Sequence, residues 1–405
     1  MIYLKFWRFS IERKIQVRVL TLTPADSFFF KGHMMSEMGT PSQWSSCFPP
    51  RPNTVYGALR SAYIHRYSNF DEFRLESDPH TKEWMGSPTT FGTFRQMAVL
   101  IKQGEDILLP IPMDYRIKHS MENGKEILQA TSLKLIENNV MSNANAKYTL
   151  VKNNDSEREG KDVDRSGKFT SLQEWRRNVM NQEQITQIHS LKEIVDTYTK
   201  TGIKINQFTR KAEDSHFFQM NMMNMQEDCS LVSLVPESPD FSDVPYVSLG
   251  AENRPWFVKQ DQMEWSIWTD EQLLELEEML LLTGIARIIL LTPLVLPENC
   301  SLINPSLHDD CTWSMTPGVD VELLTWVTER SELYGGWDIV GHRPKPRVLM
   351  LPAGTVFYVR VQPQDISKIV ALANGFTLFP GETEGRDIEG FGFAVIVGMK
   401  HMDNN

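Results

Sequence analysis

Two apolar segments far apart in this chain close in the same way. Val19-Leu-Thr-Leu-Thr-Pro24 and Ile288-Ile-Leu-Leu-Thr-Pro293 each read as a strand ending on Thr-Pro. Proline has no N–H to give to a sheet ladder, so it marks where pairing stops. A strand of this kind at the head of each half is what two copies of one β-initiated unit would produce. The match is short, and coincidence stays open beside duplication. The second copy would run to a last strand, Ala394-Val-Ile-Val-Gly398, entered from a glycine-rich turn. At 405 residues the chain has room for two or three domains and a real core.

Alternation predicts the first strand over residues 15–23. Residues 54–66 predict a helix, with Asn53 or Thr54 as its cap and Pro52 just outside. Val55, Ala58, Leu59, Ala62 and Tyr63 form its apolar stripe. Residues 97–101 and 107–111 predict a strand pair around Gln103-Gly-Glu-Asp106. Ser171 with Glu174, and Thr269 with Gln272, have the capping-box spacing. The second box opens a helix over 271–282 whose Leu273, Leu276 and Leu280 share a face. Residues 138–170 are rich in Asn, Asp, Ser, Lys and Glu and poor in large apolar groups. Burial there does not offset an ordering cost of roughly 1–2 kcal/mol per residue, so a mobile, protease-sensitive insertion is expected.

Composition excludes some classes. No stretch approaches the ~20 consecutive apolar residues that span a bilayer, and the longest run, 285–297, is broken by Arg287 and two prolines. The first residues have no long apolar core and no small-residue cleavage site, so a signal peptide is not expected. Cys47, Cys229, Cys300 and Cys311 stand far apart without a Cys-x-x-Cys, which fits a reducing, cytoplasmic setting. The net charge of −11 argues against a lone, non-specific nucleic-acid binder. It leaves room for a local site. Cations gather at Arg8, Arg13, Lys14 and Arg18; at Arg51, Arg60 and Arg66; at Lys204, Arg210 and Lys211; and at Arg343, Lys345 and Arg347. Each group can equally be a solvated face.

No catalytic constellation stands out. Gly385-Arg-Asp-Ile-Glu-Gly-Phe-Gly392 lets the backbone approach another chain closely, or serves as a turn that needs glycine. It lacks the Gly-Lys-Ser/Thr end of a phosphate loop, and its acidic residues would repel phosphate. Cys300, His308 and Cys311 match no zinc spacing, so no metal and no cofactor are expected. His33 near Lys31, or His65 beside Tyr63 and Arg66, could cut RNA without metal by acid–base chemistry. A structural histidine is the simpler reading of each. Phe28-Phe-Phe30 can stack bases, but three adjacent phenylalanines more often serve core or a partner face.

Taken in order, the motifs resemble a family. They are Leu22-Thr-Pro-Ala-Asp26-Ser-Phe-Phe-Phe30; Phe48-Pro-Pro-Arg-Pro-Asn-Thr-Val-Tyr-Gly-Ala-Leu-Arg60; Leu109-Pro-Ile-Pro-Met-Asp114; Gly202-Ile-Lys-Ile-Asn206 with Thr209, Ala212 and Glu213; Leu249-Gly-Ala-Glu252-Asn-Arg254; Pro344-Lys-Pro346 with Leu351-Pro-Ala-Gly-Thr-Val-Phe-Tyr358; and Gly390-Phe-Gly392. The chain resembles the third subunit of the Cmr module of type III-B CRISPR effectors, in the RAMP superfamily, over about residues 15–398. Asn206 for an acid, Ala251 for a glycine and His216-Phe-Phe218 for a Gly-x-Leu-Tyr depart from the pattern.

The resemblance implies an α+β fold of two ferredoxin-like (RRM-like) domains side by side with insertions, here 1–283 and 284–405. It implies a non-catalytic RNA-binding subunit, not an enzyme, that grips the 5′ tag of the crRNA beside a backbone RAMP subunit. It implies pairing with the large polymerase-like subunit, without direct DNA contact. The alternative is a metal-independent crRNA-processing endoribonuclease of the same superfamily. Where the family's first helix and its flanking loop fall, the RNA candidates are Lys31, His33, Arg51, Asn53 and Arg60, joined from later in the chain by Arg254 and Arg343. Phe28–Phe30 and Met220, Met222, Met223 and Met225 are expected to be exposed for a partner.

Overall fold

The computed structural model describes residues 15–32, 42–44, 46–122, 125–137, 148–152, 162–205, 212–297, 312–335, 337–338 and 343–399. His33, Cys300, His308 and Cys311 lie outside them. The alternation seen at residues 15–23 is that of an inner strand, Ile15–Pro24. Its Val17 and Val19 face one core and its Leu20 and Leu22 another, because successive side chains leave opposite faces of a strand. It sits between antiparallel neighbours Cys229–Val235 and Pro255–Trp265. The sheet around it has eight strands, continuing outward through Ala98–Gln103, Asp106–Pro110, Lys168–Ser171 and His189–Ser190 on one side, and ending at Tyr246–Ser248 on the other. A second, six-stranded sheet runs Thr312–Thr316, Val319–Val327, Val356–Arg360, Ile285–Leu290, Phe393–Gly398, Phe376–Thr377. The chain is thus a mixed α and β protein with mostly antiparallel sheets and few helices.

The Thr-Pro echo corresponds to a shared plan. In the first sheet, Ala98–Gln103, Cys229–Val235, Ile15–Pro24 and Pro255–Trp265 lie side by side; in the second, Val319–Val327, Val356–Arg360, Ile285–Leu290 and Phe393–Gly398 do. In chain order each set reads second, third, first, fourth, and the echoed strand is the first of each. The helices differ. Among the described residues, the first set has Pro52–Tyr67 after its first strand, and the second has Ile366–Leu372 between its third and fourth. A ferredoxin-like unit carries both.

The halves share one core. Val17, Leu100 and Val232 of the first sheet belong to the same buried cluster as Ile288, Phe357 and Val395 of the second. Helix Asp270–Thr283, which a boundary at 283 gives to the first half, lies against the second sheet. The segment before it is tied there as well. Asn374 Oδ1 accepts from the Ile267 and Trp268 amides at 3.0 and 2.7 Å, and the Trp265 and Trp268 indoles donate to Asn374 O and Ile396 O, each at 3.0 Å. At the centre, Arg287 and Asp114 are fully buried and joined across the halves. Arg287 Nε and Nη2 donate to Asp114 Oδ2 at 2.8 and 2.6 Å, Nη1 donates to Val179 O at 3.0 Å, and the Tyr358 hydroxyl donates to the same Oδ2 at 2.7 Å. Burial works against the guanidinium's charge, yet Asp114 together with Tyr358 and Tyr115 outweighs it and raises the Arg287 pKa.

Three sequence expectations change. Helix Pro52–Tyr67 starts with Pro52 inside and Arg51 at the N-cap, with no side-chain cap; proline's fixed φ and missing N–H suit the first helical position. The expected mobile insertion at 138–170 is in part regular strand. Tyr148–Val151 pairs with Lys134–Glu137, and Lys168–Ser171 joins the large sheet, while 138–147 and 153–161 lie outside the described residues. Tyr148 is buried under Arg360, which donates to its hydroxyl at 2.7 Å, and Phe169 and Thr170 are buried too. A few anchors suffice where average composition is polar. Phe28–Phe30 and Met220, Met222 and Met223 are buried rather than exposed; Phe28 packs on Trp256 at 4.9 Å and on Phe30 at 5.3 Å.

Asp114→Ala strands Arg287 in the core, and is expected to cost about 3–5 kcal/mol by chemical denaturation. Asp114→Ala with Arg287→Met should lose clearly less than the sum of the two single changes; strict additivity would contradict the coupling.

Candidate nucleic-acid groove

Helix Pro52–Tyr67 has two unlike sides. Val55, Tyr56, Leu59 and Tyr63 are buried, in one cluster with Leu20, Leu22 and Leu231 of the sheet. The outer side is built of small residues: Gly57, Ala58, Ser61 and Ala62 are half-buried. A Cβ on Gly57 would meet nothing within 4 Å. Over this side lies a groove of about 1780 Å³. Its walls include Lys31, Phe70, Phe73, Arg74, the loop 88–91, the edge strand Tyr246–Ser248, Lys345, Glu384, Arg386 and Glu389. Both halves of the chain therefore contribute.

The glycine-rich segment makes its close approach to this same chain. A Cβ on Gly385 would fall 2.2 Å from the Phe91 ring, and one on Gly390 would fall 3.1 Å from Gln96 Nε2. Gln96 is the tie: its Nε2 donates to Pro52 O at 2.8 Å and to Glu389 O at 2.6 Å, and its amide donates to Ile388 O at 3.0 Å. The segment is thereby held at the start of the helix. Arg386 is paired with Glu389 at 2.9 Å and lies over the Tyr334 ring. Burial opposes its charge, but Glu389 and Tyr334 outweigh it, so its pKa is raised.

Of the residues named from sequence, Lys31, Arg51, Asn53 and Arg60 line the groove together. Their states differ. Arg60 is committed inward: Nε donates to Met85 O at 2.8 Å, Nη2 donates to Ser87 O at 2.6 Å, and the group lies 5.2 Å from the Phe73 ring centre. Burial lowers its pKa. It clamps the loop wall rather than presenting a charge, and its partners are carbonyls, not an acidic neighbour. Arg51 is paired with Glu332 of the second half. Asn53 Oδ1 has no hydrogen-bond partner among the described residues. Arg254 is not part of the lining; it bonds Glu252 at 2.7 Å and Asp26 at 3.2 Å. Arg343 is also outside it, paired in a short strand with Asp338, whereas Lys345 two residues on reaches the groove.

Several groove residues are not among the RNA candidates that the sequence suggests. Phe70, Phe91 and Tyr246 line the groove and are exposed, at 43, 38 and 61%. Arg66, Arg74 and Lys345 line it, exposed and without an ion pair among the described residues. Arg66 and Lys345 stand in the sequence only as members of cation clusters, yet Arg66 also continues the 54, 58, 62 line of small residues at i+4 spacing. Tyr246 and Phe91 carry no such signal, because tertiary contacts alone bring them there. The acid–base pair of His65 and Tyr63 is not assembled. His65 is exposed with its ring edge on Phe70 at 4.7 Å, whereas Tyr63 is buried against Tyr67 and Phe241; residues two apart leave a helix on different sides.

Arg60→Ala should destabilise the chain by about 1–3 kcal/mol, because it leaves loop carbonyls unpaired. Gly57→Ala should stabilise it by about 0.5–1 kcal/mol, as glycine is costly inside a helix. Thermal unfolding of the two variants checks both signs.

Two solved structures similar to this chain are a type III-B Cmr-beta bound to cognate target RNA and AMPPnP, at 14% identity, covering 95% of this chain and 100% of that one with a TM-score of 0.47, and a type III-B Cmr-beta bound to cognate target RNA, at 13% identity, covering 84% and 86% with a TM-score of 0.44. No curated protein matches the chain significantly. The family model of the CRISPR-associated protein Cas_Cmr3 matches residues 20–399, and the chain accordingly belongs to that family, the third subunit of the type III-B Cmr module.

Proposed function

We propose that this type III-B effector subunit holds single-stranded RNA, the 5′ tag of the crRNA, in the groove over helix Pro52–Tyr67, and does so without cutting it. The observation that carries this reading is the composition of the groove. Among the described residues, seven cationic side chains line it against three acidic ones, in a chain whose net charge is −11. Arg66, Arg74 and Lys345 supply charge for phosphates, and Phe70, Phe91 and Tyr246 supply flat faces for unstacked bases. The small side of the helix lets a strand lie close to its backbone. Holding rather than cutting is the role that the family resemblance implies, and it is part of the same proposal.

The rest of the role follows from the family and is part of the same proposal. The shared strand order supports two ferredoxin-like units. The subunit would pair with the large polymerase-like subunit and a backbone RAMP subunit in the cytoplasm, without direct DNA contact. No helix among the described residues is long and apolar enough to cross a membrane.

The test is salt-dependent binding of a short labelled single-stranded RNA to the full chain. Arg66→Ala, Arg74→Ala and Lys345→Ala together should weaken binding and reduce the slope of log K against log salt by about two. Tyr246→Ala or Phe70→Ala should cost roughly 1–3 kcal/mol of affinity. Gly57→Trp should block binding while leaving the thermal midpoint near wild type. Glu332→Gln should tighten binding by about fivefold at low salt, because it releases Arg51 from an exposed ion pair. An unchanged slope in the triple variant would reject the groove, and a discrete cleavage product in the presence of EDTA would reject the non-catalytic reading.

A further inference from the structure

Of the apolar residues expected to face a partner, all but the half-buried Met225 are in the core, so they do not form the partner surface. Helix Asp270–Thr283 carries the best candidate. Its Leu273, Leu276, Met279 and Leu280 are buried on the second sheet. Its opposite side keeps three leucines in solvent: Leu274, Leu281 and Leu282, at 52, 68 and 71% exposure. Leu274 and Leu281 are two turns apart, so they stand in one line about 10 Å long. Glu271 and Glu278 are exposed on the same line. The helix sequence, Asp-Glu-Gln-Leu-Leu-Glu-Leu-Glu-Glu-Met-Leu-Leu-Leu-Thr, holds five acidic residues and no basic one.

That charge selects the occupant. RNA phosphates, an anionic lipid surface and a second copy of this same helix would each set like charges against five carboxylates, which costs several kcal/mol where desolvated. Leucines left in water gain by burial at roughly 25 cal/mol per Å². We infer that the outward face of helix Asp270–Thr283 docks a protein partner presenting lysine or arginine side chains around an apolar strip, and that this partner is another subunit of the effector. The surface is separate from the RNA groove: none of its residues lines it. The inference rests on the reading of the chain as an assembled subunit, not on the RNA site.

The test co-expresses the full chain with the other subunits of its effector and measures how much of it is recovered in the assembly. Leu274→Ser with Leu281→Ser and Leu282→Ser should lower recovery about tenfold, while thermal midpoint and affinity for the short labelled RNA stay at wild-type values. Glu271→Lys with Glu278→Lys, which keeps the leucines, should also lower recovery. Wild-type recovery of the triple variant overturns the surface. So does self-association of the wild-type chain that the leucine changes abolish, since a second copy would then be the occupant. Failure of the wild-type chain itself to enter any assembly overturns the subunit reading along with the surface, and is distinguished by that control.

Discussion

The Arg287–Asp114 pair is the contact on which the rest of the arrangement depends. Both groups are fully buried, and each comes from a different half. Desolvating two charges is expensive, and it is offset only when geometry and further hydrogen bonds are good. Here a single carboxylate oxygen collects Arg287 Nε, Arg287 Nη2 and the Tyr358 hydroxyl. The loop that delivers Asp114 is seated against the second half by its backbone as well. Met113 N donates to Gly354 O at 2.8 Å, and a Cβ on Gly354 would come within 2.9 Å of Ile111 O. A groove shared by both halves depends on how they sit against each other, and this contact joins them in the core.

Six of the seven short motifs become intelligible in these terms, because they meet in pairs. Leu109–Asp114 meets Leu351–Tyr358 at the buried ion pair. Asp26 and Phe29 of the first motif meet Gly250, Ala251 and Arg254 of the fifth: Ala251 N donates to Phe29 O at 2.9 Å, and a Cβ on Gly250 would lie 2.8 Å from that oxygen. Pro52 meets the last glycine-rich stretch through Gln96. Each motif alone is a few residues of turn chemistry. Its constraint comes from a partner far along the chain, so an ordered series of weak motifs carries the family.

The sequence exposed what is local. Strand Ile15–Pro24, helix Pro52–Tyr67, the hairpin at 98–110 and the capped helix Asp270–Thr283 follow from periodicity and caps. It also exposed where the groove begins, since Arg51, Asn53 and Lys31 line it. It hid what depends on distant contacts. Arg60 reads as a free cation until the 85–90 loop folds over it. Phe28 reads as exposed until Trp256 arrives from the neighbouring strand. Composition also misled at 148–151 and 168–171, where Tyr148 and Phe169 anchor otherwise polar sequence.

The acidic chain with a locally basic groove resolves the tension between net charge and RNA binding. On the proposed reading, long-range attraction would be weak, and a nucleic acid would be retained only where cations and rings converge. The most direct test is photocrosslinking of 4-thiouridine-labelled crRNA in the assembled effector, with the crosslinked peptides of this chain identified by mass spectrometry. Crosslinks from the 5′ tag to peptides containing Phe70, Phe91 or Tyr246 are the predicted result. Crosslinks confined to other faces, with none in the groove, would contradict it.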